Sequence, residues 1–195
     1  LKEYDKALMY HDKALQQFRG LKDTFQEGKC LMNLGNCYAG KREQDKALNY
    51  YLLAKPIIAK NGSKKDLDKV NNNIAITYVR QGKPKKALPY FEARLENYKV
   101  NKDTFNFAAG YGNLAYNYQN IGDFEKAFIY YDSSLYYSNL LHRDEITYVT
   151  LLDMSDGYQL KGDYKNALKY HQQYHALSQK VISEKTKNSI AELEV

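Results

Sequence analysis

Leu31-Met32-Asn33-Leu34-Gly35-Asn36-Cys37-Tyr38 and, after a short turn, Ala47-Leu48-Asn49-Tyr50-Tyr51 set the frame for the whole chain. Leu31, Leu34 and Tyr38 follow an i, i+3, i+7 spacing, which lines one face of a helix. Ala47, Tyr51 and Ala54 recur at four and three residues, again one helical face. The same pattern returns every 40 residues in both directions. Tyr10, Tyr50, Tyr90, Tyr130 and Tyr170 keep that interval, as do Ala7, Ala47, Ala87, Ala127 and Ala167. Tyr38, Tyr78, Tyr118 and Tyr158 form a second register. A fixed period of this size indicates stacked repeats, each burying its apolar face on its neighbours.

The repeat overrides the single-domain expectation that 195 residues would otherwise raise. The apolar fraction of 44% includes 20 Tyr and 7 Phe and no Trp, enough for a core in which the hydroxyls need outlets. No apolar run approaches the ~20 residues that span a bilayer. The chain opens inside a repeat and without Met, and so reads as a piece of something longer. Cys30 and Cys37 stand two helical turns apart, ~10 Å along one helix, too far for a disulfide. They read as small packing residues.

Charge is uneven. Between residues 55 and 102 stand 12 Lys/Arg against 4 acids, within a formal net charge of +6. Such a patch attracts acidic peptides, phosphate backbones or membrane surfaces. The lysines are scattered rather than arrayed with aromatics, which favours a solvated helix face.

Helices are expected at about 3–19, 22–40, 44–60, 65–81, 84–100, 104–121, 124–141, 144–161 and 164–182. Gly82, Gly122 and Gly162 mark turns between paired helices, and Asp23, Ser63 and Asp103 are candidate N-caps. Pro84 suits a first helical position. Pro56 and Pro89 predict kinks or a weakened ladder. The organisation reads as a half repeat 1–21, then repeats of about 22–61, 62–101, 102–141 and 142–182, with a capping or linker segment over 183–195. The leading half would expose Leu8 and Leu15, inviting dimerisation.

These residues resemble the tetratricopeptide repeat, W-x₂-L-G-x₂-Y…A-x₃-F. One copy reads Leu31-x₂-Leu34-Gly35-x₂-Tyr38, Ala47-x₃-Tyr51; others read Asn71, Ile74, Ala75, Tyr78, Ala87, Phe91, then Tyr111, Leu114, Ala115, Tyr118, Ala127, Tyr131, then Leu151, Met154, Ser155, Tyr158, Ala167, His171. Gly35, Ala75, Ala115 and Ser155 are the small residues required where helices cross closely. The resemblance implies an all-α, right-handed superhelical solenoid of antiparallel helix pairs. The 40-residue period resembles the repeats of kinesin light chain, of mitotic-spindle adaptors and of bacterial peptide-receptor regulators. In that subgroup an asparagine ladder along the groove grips the backbone of an extended peptide.

Asn33, Asn73, Asn113 and Asp153 keep the 40-residue beat, each directly before a core residue. One helical step turns a side chain by ~100° off the core face. Stacked helices lie ~10 Å apart and a strand rises ~3.4 Å per residue, so an amide would meet roughly every third ligand residue. An amide donates and accepts at once and suits a peptide group; Asp153 accepts without donating. Asn36, Lys69, Arg80 and Tyr116 flank the ladder as expected determinants of preference, with Lys69 and Arg80 leaning towards acidic ligands. The alternative role for these amides is to cap or bridge neighbouring helices.

His171 and His175 have a zinc-compatible spacing, but His171 occupies the place of Tyr51, Phe91 and Tyr131 and reads as an aromatic substitute in the packing; His11 reads likewise. No phosphate loop, nucleophile elbow or carboxylate pair is present in the sequence. The expectation is a protein- or peptide-binding module, not an enzyme, without cofactor or metal and without direct nucleic-acid binding. A self-assembling homodimer is the alternative. The segment Lys185–Val195 resembles the junction of bacterial repeat-containing sensor histidine kinases and transcriptional regulators. That resemblance implies a sensor region beside a membrane tether outside this stretch, with the periplasmic side favoured.

Overall fold

The computed structural model describes residues 2–193, and side chains over residues 3–187. Nine α-helices occur among them: α1 (Lys2–Gly20), α2 (Thr24–Gly40), α3 (Gln44–Asn61), α4 (Lys64–Arg80), α5 (Pro84–Val100), α6 (Phe107–Ile121), α7 (Phe124–Leu140), α8 (Asp144–Lys161) and α9 (Tyr164–Leu193). No strand occurs among the described residues, and no helix there is long and apolar enough to cross a membrane. The chain forms two compact units, one up to Arg94 and one from Leu95, the boundary falling within α5. In each unit the principal contacts join consecutive helices, supplemented by α2 on α4 and α6 on α8. The class is all-α, as the periodicity requires.

The repeat positions form the cores. In the first unit Leu34, Ala47, Ala54, Ile58, Val70, Ile74 and Ala75 are fully buried and Leu31 and Tyr51 nearly so. In the second, Ala108, Ala115, Ala127, Tyr131 and Met154 are fully buried beside Leu114. Gly35 faces the Tyr51 ring so closely that a Cβ would stand 2.5 Å from Cε1. Gly35→Ala is therefore expected to cost about 1–3 kcal/mol through displacement of a buried ring, read as a lower urea midpoint at unchanged slope. The second unit adds hydroxyl bridges: Ser134 Oγ donates 2.9 Å to the Ala108 carbonyl and lies 3.0 Å from Thr150 Oγ1. Ala54 and Val70 hold the corresponding places in the first unit.

The two tyrosine registers meet ring to ring inside each helix pair. Tyr38 and Tyr50 stack at 5.3 Å, Tyr118 and Tyr130 at 5.5 Å, and Tyr158 and Tyr170 at 5.3 Å. Tyr78 and Tyr90 are tilted at 6.2 Å. Lys46 and Lys126 place their ammonium groups over Tyr38 and Tyr118, a favourable approach to the ring quadrupole. Tyr10 keeps the beat but is 64% exposed.

Local signals behaved unevenly. Asp23 accepts from the Gln26 N–H and Ser63 forms a full capping box with Asp66, as expected. Asp103 instead accepts from the Asn106 side chain and precedes a 3₁₀ turn, Thr104–Asn106, so α6 starts later than expected. Gly82, Gly122 and Gly162 have positive φ, the left-handed turn that glycine adopts freely. Pro84 opens α5, while α3 and α5 run through Pro56 and Pro89 without interruption. Ala54 and Ile58 flank Pro56, and Ala87 and Phe91 flank Pro89, all buried. Tertiary packing there outweighs one lost hydrogen bond.

Two expectations need correction. Leu8 and Leu15 are buried, at 9% and 7% exposure, because α1 packs on α2 with that face inward. His171 is exposed and touches the Tyr174 ring at 5.7 Å rather than filling a core site. The last helix is longer than the expected 164–182: α9 runs on through the segment after residue 182 to Leu193. Val181 is buried, and Lys180 and Lys185 pair with Asp144 and Glu145 at the start of α8. The side chains of the tail from residue 188 on lie outside the described residues.

Candidate functional site

Asn33 and Asn73 each precede a fully buried residue, Leu34 or Ile74. The helical step turns both amides away from the core, and both are half-buried. Asn73 Nδ2 donates to Asn36 Oδ1 at 2.9 Å, which also accepts from the Tyr51 hydroxyl at 2.8 Å. One carbonyl oxygen thus ties α2, α3 and α4 together. The bridging role weighed for the ladder is present at this rung. It engages one side-chain N–H of Asn73 and leaves Asn73 Oδ1 and the Asn36 side-chain amino group for other partners.

These side chains border a concavity of about 240 Å³ lined by Asn36, Gly40, Tyr51, Asn73, Ile76 and Arg80 among others. The structure therefore brings Asn36, Asn73 and Arg80 together. Arg80 is exposed, and its positive charge acts on the Tyr51 hydroxyl against the burial that pushes its pKa up to about 12. Asn33 and Lys69 do not line this concavity. Lys69 is exposed near the start of α4, where its charge helps Ser63 hold the Asp66 carboxyl low.

Two periods on, the same register recurs in the second unit. Tyr116, Gln119, Asn120, Asp156, Gln159 and Leu160 line a concavity of about 400 Å³. Tyr116 is exposed, while Asn113 is half-buried on α6 outside this lining. Gln119 is buried, and its Oε1 accepts from the Tyr131 hydroxyl at 3.0 Å. Asp153 is half-buried, with its pKa pushed up to about 7 by burial and then by the neighbouring Asp156 charge. Its carboxyl is therefore substantially protonated near neutrality, and a protonated carboxyl donates as well as accepts.

Tyr51 and Gln119 were not legible as site residues. Tyr51 sits on the core register, and its polar end emerges only once Asn36 is placed beside it. Gln119 shares its register with Ala39, Val79 and Gln159, a variable series without a signal of its own. The excess of cations over residues 55–102 is dispersed. Lys60, Lys64, Lys65, Lys83, Lys85 and Lys86 are exposed, while Lys55 covers the Tyr90 ring and Arg94 bonds Asn72.

The family model of the tetratricopeptide repeat matches residues 1–60 and 106–180, more than half of the chain. No curated protein sequence matches it. Among solved structures, BtubC (BKLC) from P. vanneervenii is 23% identical, with a TM-score of 0.77 over 92% of this chain and 74% of that one. A putative kinesin light chain from P. anserina with nearly identical TPR-like repeats is 14% identical, with a TM-score of 0.77 over 93% of this chain and 90% of its own. YrrB, a TPR protein with an unusual peptide-binding site, is 18% identical, with a TM-score of 0.59 over 90% and 78% of the two chains. At these identities the likeness is one of fold.

Proposed function

Since the chain belongs to the tetratricopeptide repeat family, we propose that it is a scaffold binding an extended peptide or partner segment through its asparagine register. The observation that carries this reading is the concavity where Asn36, Asn73 and Arg80 converge. Its free amide groups match a peptide unit, which offers one donor and one acceptor. Arg80 favours a carboxylate beside it. In the second unit Asp156 lines the corresponding concavity, with Tyr116, and favours a cationic or donor-rich segment there. A solved neighbour of this fold, YrrB, has a peptide-binding site, which supports the same use here.

Asn33, Asn73 and Asn113 make backbone contacts in this reading, Asp153 serves as the last rung, and Asn36, Lys69, Arg80 and Tyr116 set preference. The ladder grips the ligand main chain, so affinity depends on extension more than on side-chain identity. The setting is the partner-sensing region of a larger bacterial signalling or regulatory protein, supported by the likeness of the tail to such junctions. Self-association as the main role has less support, because Leu8 and Leu15 are buried.

The test is a peptide array followed by calorimetry. A binder found on the array should weaken roughly tenfold or more on Asn73→Ala with Asn113→Ala, from two hydrogen bonds of ~1 kcal/mol each. Circular dichroism should show the helices intact. Affinity unchanged by the pair of substitutions would assign the amides to structure alone.

A further inference from the structure

Asn71 stands two residues before Asn73 on α4, ~200° around the helix and so on a different face from the ladder. Leu31, Asn71, Tyr111 and Leu151 share one place in the repeat. In the second unit that place is filled by a ring. Tyr111 stacks on Tyr130 at 6.1 Å and on Tyr137 at 5.6 Å, so Tyr130 is faced by Tyr118 and Tyr111 together. In the first unit Tyr90 has Tyr78 as a ring neighbour and the Lys55 ammonium 4.7 Å over its ring. A cleft of about 400 Å³ opens beside it, lined by Lys55, Asn71, Pro89, Tyr90, Ala93 and Arg94 among others. That volume lies within the range of small-ligand pockets.

We propose that this cleft is a second binding site, one that receives a tyrosine side chain of a partner protein in the place Tyr111 occupies in the second unit. The chain supplies its own example of the occupant: one helix pair further on, a phenol ring lies against the equivalent tyrosine. The first unit keeps the platform, Tyr90, with Pro89 and Ala93 as small apolar edges, but carries asparagine where that ring would be. Asn71 also names the polar requirement. Its Oδ1 is buried without a hydrogen-bond partner, an acceptor whose desolvation is uncompensated until a donor arrives. A phenolic O–H supplies that donor and a phenylalanine ring does not. Lys55, whose ammonium sits on a flexible stem, swings aside to water or rides on the edge of the entering ring. The site lies on another face from the peptide register, and its occupancy is independent of whether the ladder binds.

Binding of p-cresol, the tyrosine side-chain analogue, and of toluene, its counterpart without a hydroxyl, is measured on the full chain by ¹⁵N-NMR titration. The expected result is p-cresol shifts centred on Asn71, Tyr90 and Ala93, with toluene about fivefold weaker, the worth of one neutral hydrogen bond. Asn71→Leu, which installs the residue found at position 31, should bring p-cresol down to the toluene level. Asn71→Tyr should fill the cleft from within and remove the shifts at Tyr90 and Ala93, with no loss of melting temperature. Absence of shifts at these residues, equal binding of the two probes, or shifts that persist in Asn71→Tyr would overturn the proposal.

Discussion

Asp153→Asn is expected to stabilise the protein at pH 8 and to remove a pH dependence present in the parent chain. Burial and Asp156 raise the Asp153 pKa from 3.8 to about 7. The folded chain therefore holds this proton over a range in which the unfolded chain has released it. Stability from Asp153 is highest below about pH 4, falls as pH rises towards 7, and is flat above. At about 1.4 kcal/mol per unit, the full shift corresponds to a ceiling of about 4 kcal/mol, and partial access to water reduces it to roughly 2. The charged and titratable groups that act with it are Asp156 on its own helix and Tyr131 on α7. Asparagine is the residue of the three preceding repeats at this place and carries no charge to bury. Urea denaturation of both proteins from pH 4 to 8 checks this. Their stability difference should grow up to about pH 7 and then level; a constant difference would mean that Asp153 titrates as an ordinary carboxylate. Acid unfolding of the whole chain involves other groups, since Asp66, Asp123 and Asp163 are held low by their caps. The difference curve isolates Asp153.

Tyr131→Ala should cost about 3–5 kcal/mol, as expected for deleting a large side chain at a fully buried site. Tyr131→Phe separates the ring from the hydroxyl. It keeps the packing but leaves Gln119 Oε1, buried and paired with the Tyr131 hydroxyl at 3.0 Å, without its donor. A loss of about 1–3 kcal/mol is expected from that orphaned acceptor. Chemical denaturation of the two variants in parallel gives both numbers. Near-identical stability of the phenylalanine variant and the parent would mean that water replaces the hydroxyl.

The helices were legible because the same apolar register is written four times over. Ala47, Tyr51 and Ala54 announce one buried face, and Ala127, Tyr131 and Ser134 repeat it. The features that escaped depend on what lies across from a residue. Pro56 and Pro89 suggest a kink or a weakened ladder in isolation; the helices expected to run through them do so, with their neighbours anchored in the core. His171 shares the register of Tyr51 and Tyr131 but remains exposed, so register alone does not bury a side chain. Leu8 and Leu15 belong to the first helix, and the face that carries them is covered by α2. The site was half legible. Asn36, Asn73 and Arg80 follow from spacing and do converge, whereas the shared acceptor on Asn36 requires two helices and a tyrosine hydroxyl to meet at one oxygen. The spacing of Asp153 reveals a missing amide, whereas the upward push on its pKa depends on burial that spacing does not show.

The pattern of contacts within each unit, each helix resting mainly on its sequence neighbours, also governs how the protein acquires its structure. No principal contact asks the chain to close a loop longer than one repeat, so the entropy of closure stays small. Low contact order of this kind belongs to fast folders. Within each unit, any helix pair that forms first offers a template to the next, and structure spreads from neighbour to neighbour. Substitutions at one helix–helix seam are then felt most in the kinetics of that seam, and distant repeats keep their own rates.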